Sequence, residues 1–284
     1  GKKPTGIGFA PEMMGYELGS TALSGLAYYT GEHFPEEYRN NFFIGDVVTS
    51  RISRNSVSFI GSTPVLKFEE DFLLSADPWF RPVDIKIGPD GALYVADFYN
   101  RIIGHYEVDL KHPGRDRTSG RIWRITYKGG PVPSLAQKDW SKATLEELLS
   151  HLNYSQLNIR MRLADRIFDS FGKEAVPHLK NLIQQSEKGW QEKVQALWLL
   201  HRLNQMDDEI LIPFLKHSNE NLRIHSLRIG AQRASISTEF RNIAITALTD
   251  PSPFVRRSAA ELLHRFPALE NLNPLISLYR LTPD

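Results

Sequence analysis

A repeat in the second half of the sequence restricts the fold more than any other feature. The segments "NIRMRLADRIF", "EKVQALWLL", "NLRIHSLRI" and "PFVRRSAAELL" align on the small residues Ala164, Ala196, Ser226 and Ala259, at spacings of 32, 30 and 33. Three positions earlier stand Met161, Lys193, Arg223 and Arg256, and three positions later stand Ile167, Leu199, Ile229 and Leu262. Small and aliphatic residues at helical spacing, renewed in each unit, predict helical hairpins that stack into an α-solenoid.

The first half of the sequence has a period of two instead. Seven short runs rich in Val, Ile, Tyr and Phe lie between residue 20 and residue 128, separated by Gly, Pro, Asn and Asp. In "IGPDGALYVAD" the turn at Pro89-Asp90-Gly91 predicts a hairpin, with Leu93 and Val95 on one face of the second strand. About four strands in every 45 residues favour two β-propeller blades over a sandwich.

Composition limits the classes of function. The 284 residues carry a formal net charge of +1, which argues against a nucleic-acid groove. The absence of cysteine excludes disulfides, thiolate metal sites and a cysteine nucleophile from this sequence. No apolar run is long enough for a membrane span, and no signal-peptide pattern is present. Because the sequence starts without Met, in Gly/Pro-rich material, we expect it to be an excerpt of a longer protein.

Two stretches carry a family resemblance. "DPSPFVRRSAAELL" resembles a HEAT repeat. Residues 77–127, from "DPWFRPVDIKIG" to "GRIWRITY", and residues 28–54 closely resemble a membrane-associated dehydrogenase family of planctomycete-type bacteria. In that family a six-bladed propeller, related to soluble quinoprotein glucose and aldose-sugar dehydrogenases, precedes HEAT repeats and usually a c-type haem domain.

The resemblance implies a multidomain β + α fold, in which the last blades of a six-bladed β-propeller are followed by a HEAT-type α-solenoid. The expected domains are residues 1–130 for the blades, 131–143 for a linker and 144–284 for the solenoid. It further implies a periplasmic or other extracytoplasmic location, pyrroloquinoline quinone and calcium in the full-length protein, and haem c in a separate C-terminal domain. A cytochrome-type electron acceptor would be the redox partner.

The stretch "RPVDI" stands where the sugar-dehydrogenase relatives have a quinone-contacting "RxRDV" stretch. Arg81 matches the first arginine and Asp84 the aspartate, whereas Val83 replaces the second arginine. The resemblance therefore implies a cofactor or substrate contact at Arg81 and Asp84. Arg81 could instead stack on neighbouring rings and pair with a loop carboxylate, and Asp84 could bond turn amides.

Polar residues crowd the end of the strand "ALYVADFY" and the long loop after it, which runs from about Tyr99 to Ser119. Loops of that length are often functional. The candidate binding residues are Asp97, Asn100, Arg101, His105 and Arg115. Asp97 could equally cap a turn, and the loop histidines could be satisfied by backbone groups. The run Arg115-Asp116-Arg117 could be an ion-paired anchor or a rim for a hydroxyl-rich ligand. No tight metal-ligand spacing is present.

The family resemblance and these residues together leave two functions open, of which the dehydrogenase is implied by the resemblance. The first is a quinoprotein-like dehydrogenase that oxidises sugars or related polyhydroxylated substrates, with a catalytic base that cannot be named from this sequence. The second is a non-catalytic scaffold that binds carbohydrate or protein, which the loss of the second arginine at Val83 favours. In the helical half, the ridge of Arg160, Arg162, Lys193, Arg223, Arg256 and Arg257 could bind a protein partner or could be ion-paired within the repeats.

Overall fold

The computed structural model describes residues 22–104, 108–131 and 138–281. Residues 132–137 of the predicted linker lie outside this part. The chain divides into two compact units. The first comprises Gly1–Val57 and Leu66–Gln137, and the second comprises Ser58–Val65 and Lys138–Asp284. Each unit is described by itself below.

Within the described residues, eight strands form two antiparallel sheets. They are β1 (Leu23–Tyr28), β2 (Asn41–Asp46), β3 (Arg51–Ile60), β4 (Thr63–Phe68), β5 (Leu73–Leu74), β6 (Pro82–Ile87), β7 (Leu93–Asp97) and β8 (Arg121–Ile125). The larger sheet has the order β1-β2-β3-β4, with β5 pairing to the start of β3. The smaller sheet has the order β6-β7-β8. Most of the strands match the runs of period two in the sequence.

The prediction of β-propeller blades is wrong. Within the described residues the sheets have five and three strands, and neither closes into a ring or barrel. The physical reason is that a period of two identifies a strand and its buried face but does not determine how sheets are arranged. Open antiparallel sheets and propeller blades both consist of short strands with Gly/Pro-rich turns between them.

The hairpin between β6 and β7 forms as the sequence predicts. Gly91 has φ +77°, a conformation that suits glycine. Leu93 and Val95 are fully buried in the first unit, with Phe43 and Ile85. The two sheets approach closely beside β6. A Cβ on Gly45 would lie 2.4 Å from the carbonyl oxygen of Pro82, so a side chain there would push the strands apart.

Helices occupy the rest of the second unit. They are α1 (Leu145–Leu149), α2 (Leu157–Phe171), α3 (Val176–Gln184), α4 (Trp190–Arg202), α5 (Asp208–Leu215), α6 (Glu220–Ala231), α7 (Thr238–Thr246), α8 (Pro253–Arg265) and α9 (Leu269–Leu281). The small and aliphatic repeat positions of the sequence are all buried among these helices. No helix among the described residues is long and apolar enough to cross a membrane.

A repeated arginine contact fixes the start of three helices. Arg160, Arg223 and Arg256 each donate from Nη1 to the carbonyl groups six and five residues earlier, at Tyr154 and Ser155, His217 and Ser218, and Asp250 and Pro251. Each arginine stands four positions after its helix N-cap. The first repeat therefore aligns with the others when Arg160, one residue before Met161, is placed at the basic position. The pattern of apolar residues does not distinguish the two alignments, because Leu163 and Ala164 are both buried.

Candidate functional site

Arg81, which precedes β6, is buried and its guanidinium is used inside the first unit. Its Nε donates to the carbonyl oxygen of Asn100 at 3.0 Å, and its Nη1 donates to that of Val47 at 2.6 Å. Burial lowers the pKa of Arg81, an effect that the negative charge of Asp97 opposes. The side chain thus joins the loop after β2 to the loop after β7, which is a structural role.

Asp97, the last residue of β7, accepts hydrogen bonds from three donors. Its Oδ1 accepts from the backbone N–H groups of Arg81 and Tyr99, each at 2.8 Å, and its Oδ2 accepts from Trp123 Nε1 at 3.0 Å. The carboxylate is buried. The sequence suggested two roles for Asp97, and its bond to the N–H of Tyr99 is the one expected of a cap of the following turn.

The loop after β7 is held by hydrogen bonds to its own backbone. Buried Asn100 donates from Nδ2 to the carbonyl oxygen of Asp116 at 2.6 Å. Arg115 donates to the carbonyl groups of Ile102, Gly104, Val108 and Asp109. The loop anchor that the sequence suggested as ion-paired is thus built on carbonyl groups. Hydrogen bonds from Thr118 and Ser119 lower the pKa of Asp116 to about 2.

Two other candidate residues, Asp84 and Arg101, do not join this network. Asp84, in β6, accepts from the backbone N–H of Ile85 and from Lys86 Nζ, each at 2.9 Å. Arg101 is exposed. His105 lies outside the described residues. The structure therefore brings together Arg81, Asp97, Asn100 and the Arg115 loop, but it does not bring Asp84 or Arg101 to them.

A shallow pocket of about 430 Å³ adjoins this network. Asp97, Asp116, Arg117 and Arg121 line it. The guanidinium of Arg121 lies over the ring of Tyr99, 3.3 Å from its centroid. Because the two carboxylates accept bonds from the chain itself, the pocket offers few unoccupied polar groups. Within the described ranges, no three His, Asp or Glu side chains cluster closely enough to hold a metal ion.

A larger groove lies in the second unit, between α5, α7 and the start of α8. This α5–α7 groove has a volume of about 1080 Å³. Leu215, Ile243 and Ala247 supply apolar surface, while Lys216, Glu239 and Asn242 supply polar groups. Among residues 138–281, the structure shows no hydrogen bond or ion pair to the ends of these three polar side chains. They are exposed and are free to contact another molecule.

One wall of the α5–α7 groove is held in place by an ion pair. Arg223 and Asp250 form a bidentate ion pair, with Nε–Oδ2 and Nη2–Oδ1 distances of 2.8 and 2.9 Å. Burial and the nearby cations Lys193 and Arg223 lower the pKa of His217. Its Nδ1 accepts from the backbone N–H of Asn219, so the neutral ring carries its proton on Nε2 and can donate a hydrogen bond.

The chain was compared with protein-family models and with curated proteins. A family profile described as "Domain of unknown function (DUF7133)" matches residues 12–129. This range covers the described strands of the first unit, together with Arg81, Asp97 and Asn100. No curated protein matches the chain. The matching description names no activity, so the resemblance to a dehydrogenase family stays a prediction.

Sequence reasoning missed the α5–α7 groove. Lys216, Glu239 and Asn242 belong to no motif, and exposed polar residues on helices are common. The repeat itself contains a signal that could have been used. The groove lies between neighbouring first helices of the hairpins, so polar residues on those helices could have been listed as contact positions once the hairpins were aligned.

Proposed function

We propose that this chain is a non-catalytic protein-binding module that holds an extended polypeptide segment in the α5–α7 groove. The observation that carries the proposal is the contrast between two sets of polar groups. Lys216, Glu239 and Asn242 have no partner in the described part of the second unit, whereas Arg81 and Asp97 each make several hydrogen bonds within the first unit.

The chemistry of the groove suits a peptide backbone. An asparagine side chain has both a donor and an acceptor, which match the C=O and N–H of an extended chain. Lys216 and Glu239 provide opposite charges for side chains of the bound segment, and Ile243 provides apolar contact. Helical repeat arrays commonly present such surfaces to partners.

A dehydrogenase role that depends on Arg81 receives less support. A quinone carboxylate would meet a guanidinium whose Nε and Nη1 already donate to the carbonyl groups of Asn100 and Val47. Replacing these partners would leave two carbonyl groups inside the first unit without their donor. The carbohydrate-binding alternative would need unoccupied polar groups near Asp97, where the carboxylate already has three donors.

A peptide-display selection against the 284-residue chain tests the proposal. We expect enriched peptides whose affinity falls at least tenfold with Asn242→Arg, because the larger cation fills the groove. Asn181→Arg, at an exposed asparagine of α3, is the matched control and should leave binding unchanged. Enriched peptides that bind both variants equally would contradict the proposal.

Calorimetric titration with pyrroloquinoline quinone and calcium provides the opposing test. We expect no saturable heat from the chain. Saturable binding that Arg81→Ala weakens would support the dehydrogenase and would overturn the non-catalytic assignment. The two experiments use different units of the chain, so one result does not determine the other.

A further inference from the structure

The turns before α6 and α8 use equivalent residues in the same way. His217 stands two positions before the N-cap Asn219 of α6, and Asp250 stands two positions before the N-cap Ser252 of α8. His217 Nδ1 accepts from the backbone N–H of Asn219 at 3.0 Å, and Asp250 Oδ1 accepts from that of Ser252 at 2.8 Å. The carbonyl group of each also accepts from the arginine four positions after the N-cap, at 2.8 Å. His217 therefore takes the place of Asp250 one repeat earlier.

The two turns differ in how they meet the preceding helix. The carboxylate of Asp250 forms its bidentate ion pair with Arg223 of α6, and both side chains are mostly buried. The equivalent basic residue one repeat earlier is Lys193 of α4, four positions after the N-cap Gly189. Lys193 lies close enough to His217 for its positive charge to lower the pKa of that ring. Where one repeat has a carboxylate beside its basic residue, the repeat before it thus has an imidazole.

Lys193 has no counter-charge in the part of the chain that the structure describes. Its side chain is only 8% exposed, and no described residue forms a hydrogen bond or an ion pair with its Nζ. The adjacent carboxylate is used elsewhere. Glu192 Oε2 accepts from the backbone N–H of Gly189 at 2.8 Å, and its Oε1 pairs with Lys188 Nζ at 3.2 Å. Because a cation removed from water is costly without a partner, an anion beside Lys193 would be stabilised.

The free groups at this position are donors. Since Nδ1 of the neutral His217 ring already accepts from Asn219, its Nε2 carries the proton and can donate. The ammonium group of Lys193 also donates and cannot accept. A carboxylate has two oxygens and can accept from both groups, and the bond from the ammonium would be charge-assisted. Asp250 shows that a carboxylate fits beside the basic residue in the next repeat.

We propose that Lys193 and His217 bind a carboxylate of another molecule, in the position that the Asp250 carboxylate takes beside Arg223 one repeat later. Lys193 Nζ supplies the positive charge and His217 Nε2 supplies a hydrogen bond. The carboxylate belongs either to a small free acid or to an acidic side chain of a protein segment, and both have the same chemistry at this position. Lys193 is not among the described residues that line the α5–α7 groove. The site is therefore separate from that groove and goes beyond the function proposed above.

Titration of the 284-residue chain with sodium acetate tests the site, with sodium chloride keeping the ionic strength constant at neutral pH. The ring signals of His217 in NMR spectra report on binding. We expect a saturable shift whose apparent Kd rises at least tenfold in Lys193→Met. Lys173→Met, at an exposed lysine, is the matched control and should leave the Kd unchanged. Absence of a saturable shift overturns the proposal, and so does a shift that Lys193→Met does not weaken.

A capped tripeptide, acetyl-Gly-Glu-Gly-amide, separates the two sources because its only carboxylate is a side chain. Binding at least as tight as that of acetate would assign the site to an acidic side chain of a protein segment. Binding of acetate alone would assign it to a small free acid. The tripeptide with Gln in place of Glu should not bind, and equal binding of the two tripeptides would overturn the proposal.

A double-mutant cycle tests the same contact without any ligand. His217→Asp supplies the carboxylate from within the chain, as Asp250 does in the next repeat. We expect its effect on the melting temperature to be more favourable by about 2–4 °C with Lys193 present than in Lys193→Met. Acetate should no longer bind to His217→Asp, because the position is filled. The same effect in both backgrounds would show that a carboxylate at this position does not meet Lys193, which contradicts the proposal.

Discussion

Replacing Arg81 with methionine should loosen the first unit, and the size of the effect follows from its hydrogen bonds. The substitution keeps an apolar stem but removes the donors to Asn100 O at 3.0 Å and Val47 O at 2.6 Å. A hydrogen bond to a charged group contributes about 1.5–3 kcal/mol. Two such bonds, offset by relief from burying the guanidinium, give a loss of about 3 kcal/mol in the free energy of local unfolding.

Amide hydrogen exchange measures this loss segment by segment. The backbone N–H groups of Phe98 and Asn100 bond to the carbonyl groups of Arg81 and Trp79, at 2.9 and 3.0 Å, so they report on the same contacts. Because about 1.4 kcal/mol corresponds to a factor of ten, their exchange should accelerate roughly 100-fold. Exchange in α4 should remain at the rate of the unsubstituted chain.

Arg101→Met is the matched control. It removes an exposed arginine twenty positions later and should leave exchange in both units unchanged. If Arg81→Met also left the exchange of Phe98 and Asn100 unchanged, the structural role of Arg81 would be refuted. A variant that kept normal exchange but lost a saturable quinone interaction would assign Arg81 to a ligand site.

Three further outcomes follow from the described contacts. Gly230→Ala should lower the melting temperature, because the overpacking against Phe240, about 1–3 kcal/mol, exceeds the gain in helix propensity of about 1 kcal/mol; an unchanged or higher value would contradict this. Asp97→Ala should cost about 3 kcal/mol in urea unfolding by leaving three donors unpaired, and Asp97→Asn, which keeps one acceptor, should cost less. Burial lowers the pKa of His225 from 6.5 to about 4, so the unfolded chain binds the proton first as pH falls. The contribution of His225 to stability should thus be fully present above about pH 6.5 and fall by about 3 kcal/mol towards pH 4, and His225→Gln should make the pH dependence of unfolding less steep by that amount.

The sequence predicts those features that depend on residues close together in the chain. Pro89-Asp90-Gly91 specifies the turn through its own backbone preferences, and the burial of Leu93 and Val95 follows from alternation. The helical repeat is predictable for the same reason, since its small and aliphatic positions lie within one helix.

The arrangement of the sheets and the partners of the candidate residues depend on distant parts of the chain. Arg81 binds the carbonyl group of Val47, which lies 34 residues earlier, and no pattern near Arg81 indicates that contact. The β-propeller prediction failed for a similar reason, because strand alternation does not report closure. The family resemblance directed attention to these polar residues, but it could not show that Arg81 and Asp97 make hydrogen bonds to other parts of the same unit.

The contacts of Arg160, Arg223 and Arg256 have a consequence for how the helical array tolerates changes in length. Each arginine reaches carbonyl groups only five and six residues earlier, so each helix start is fixed inside its own hairpin. The step from Lys193 to Arg223 is 30 residues, whereas the step from Arg223 to Arg256 is 33. The three additional residues of the longer step lie earlier in the hairpin than the segment that each arginine contact fixes. Insertions or deletions in the first half of a hairpin should therefore leave the register of the stacked second helices intact.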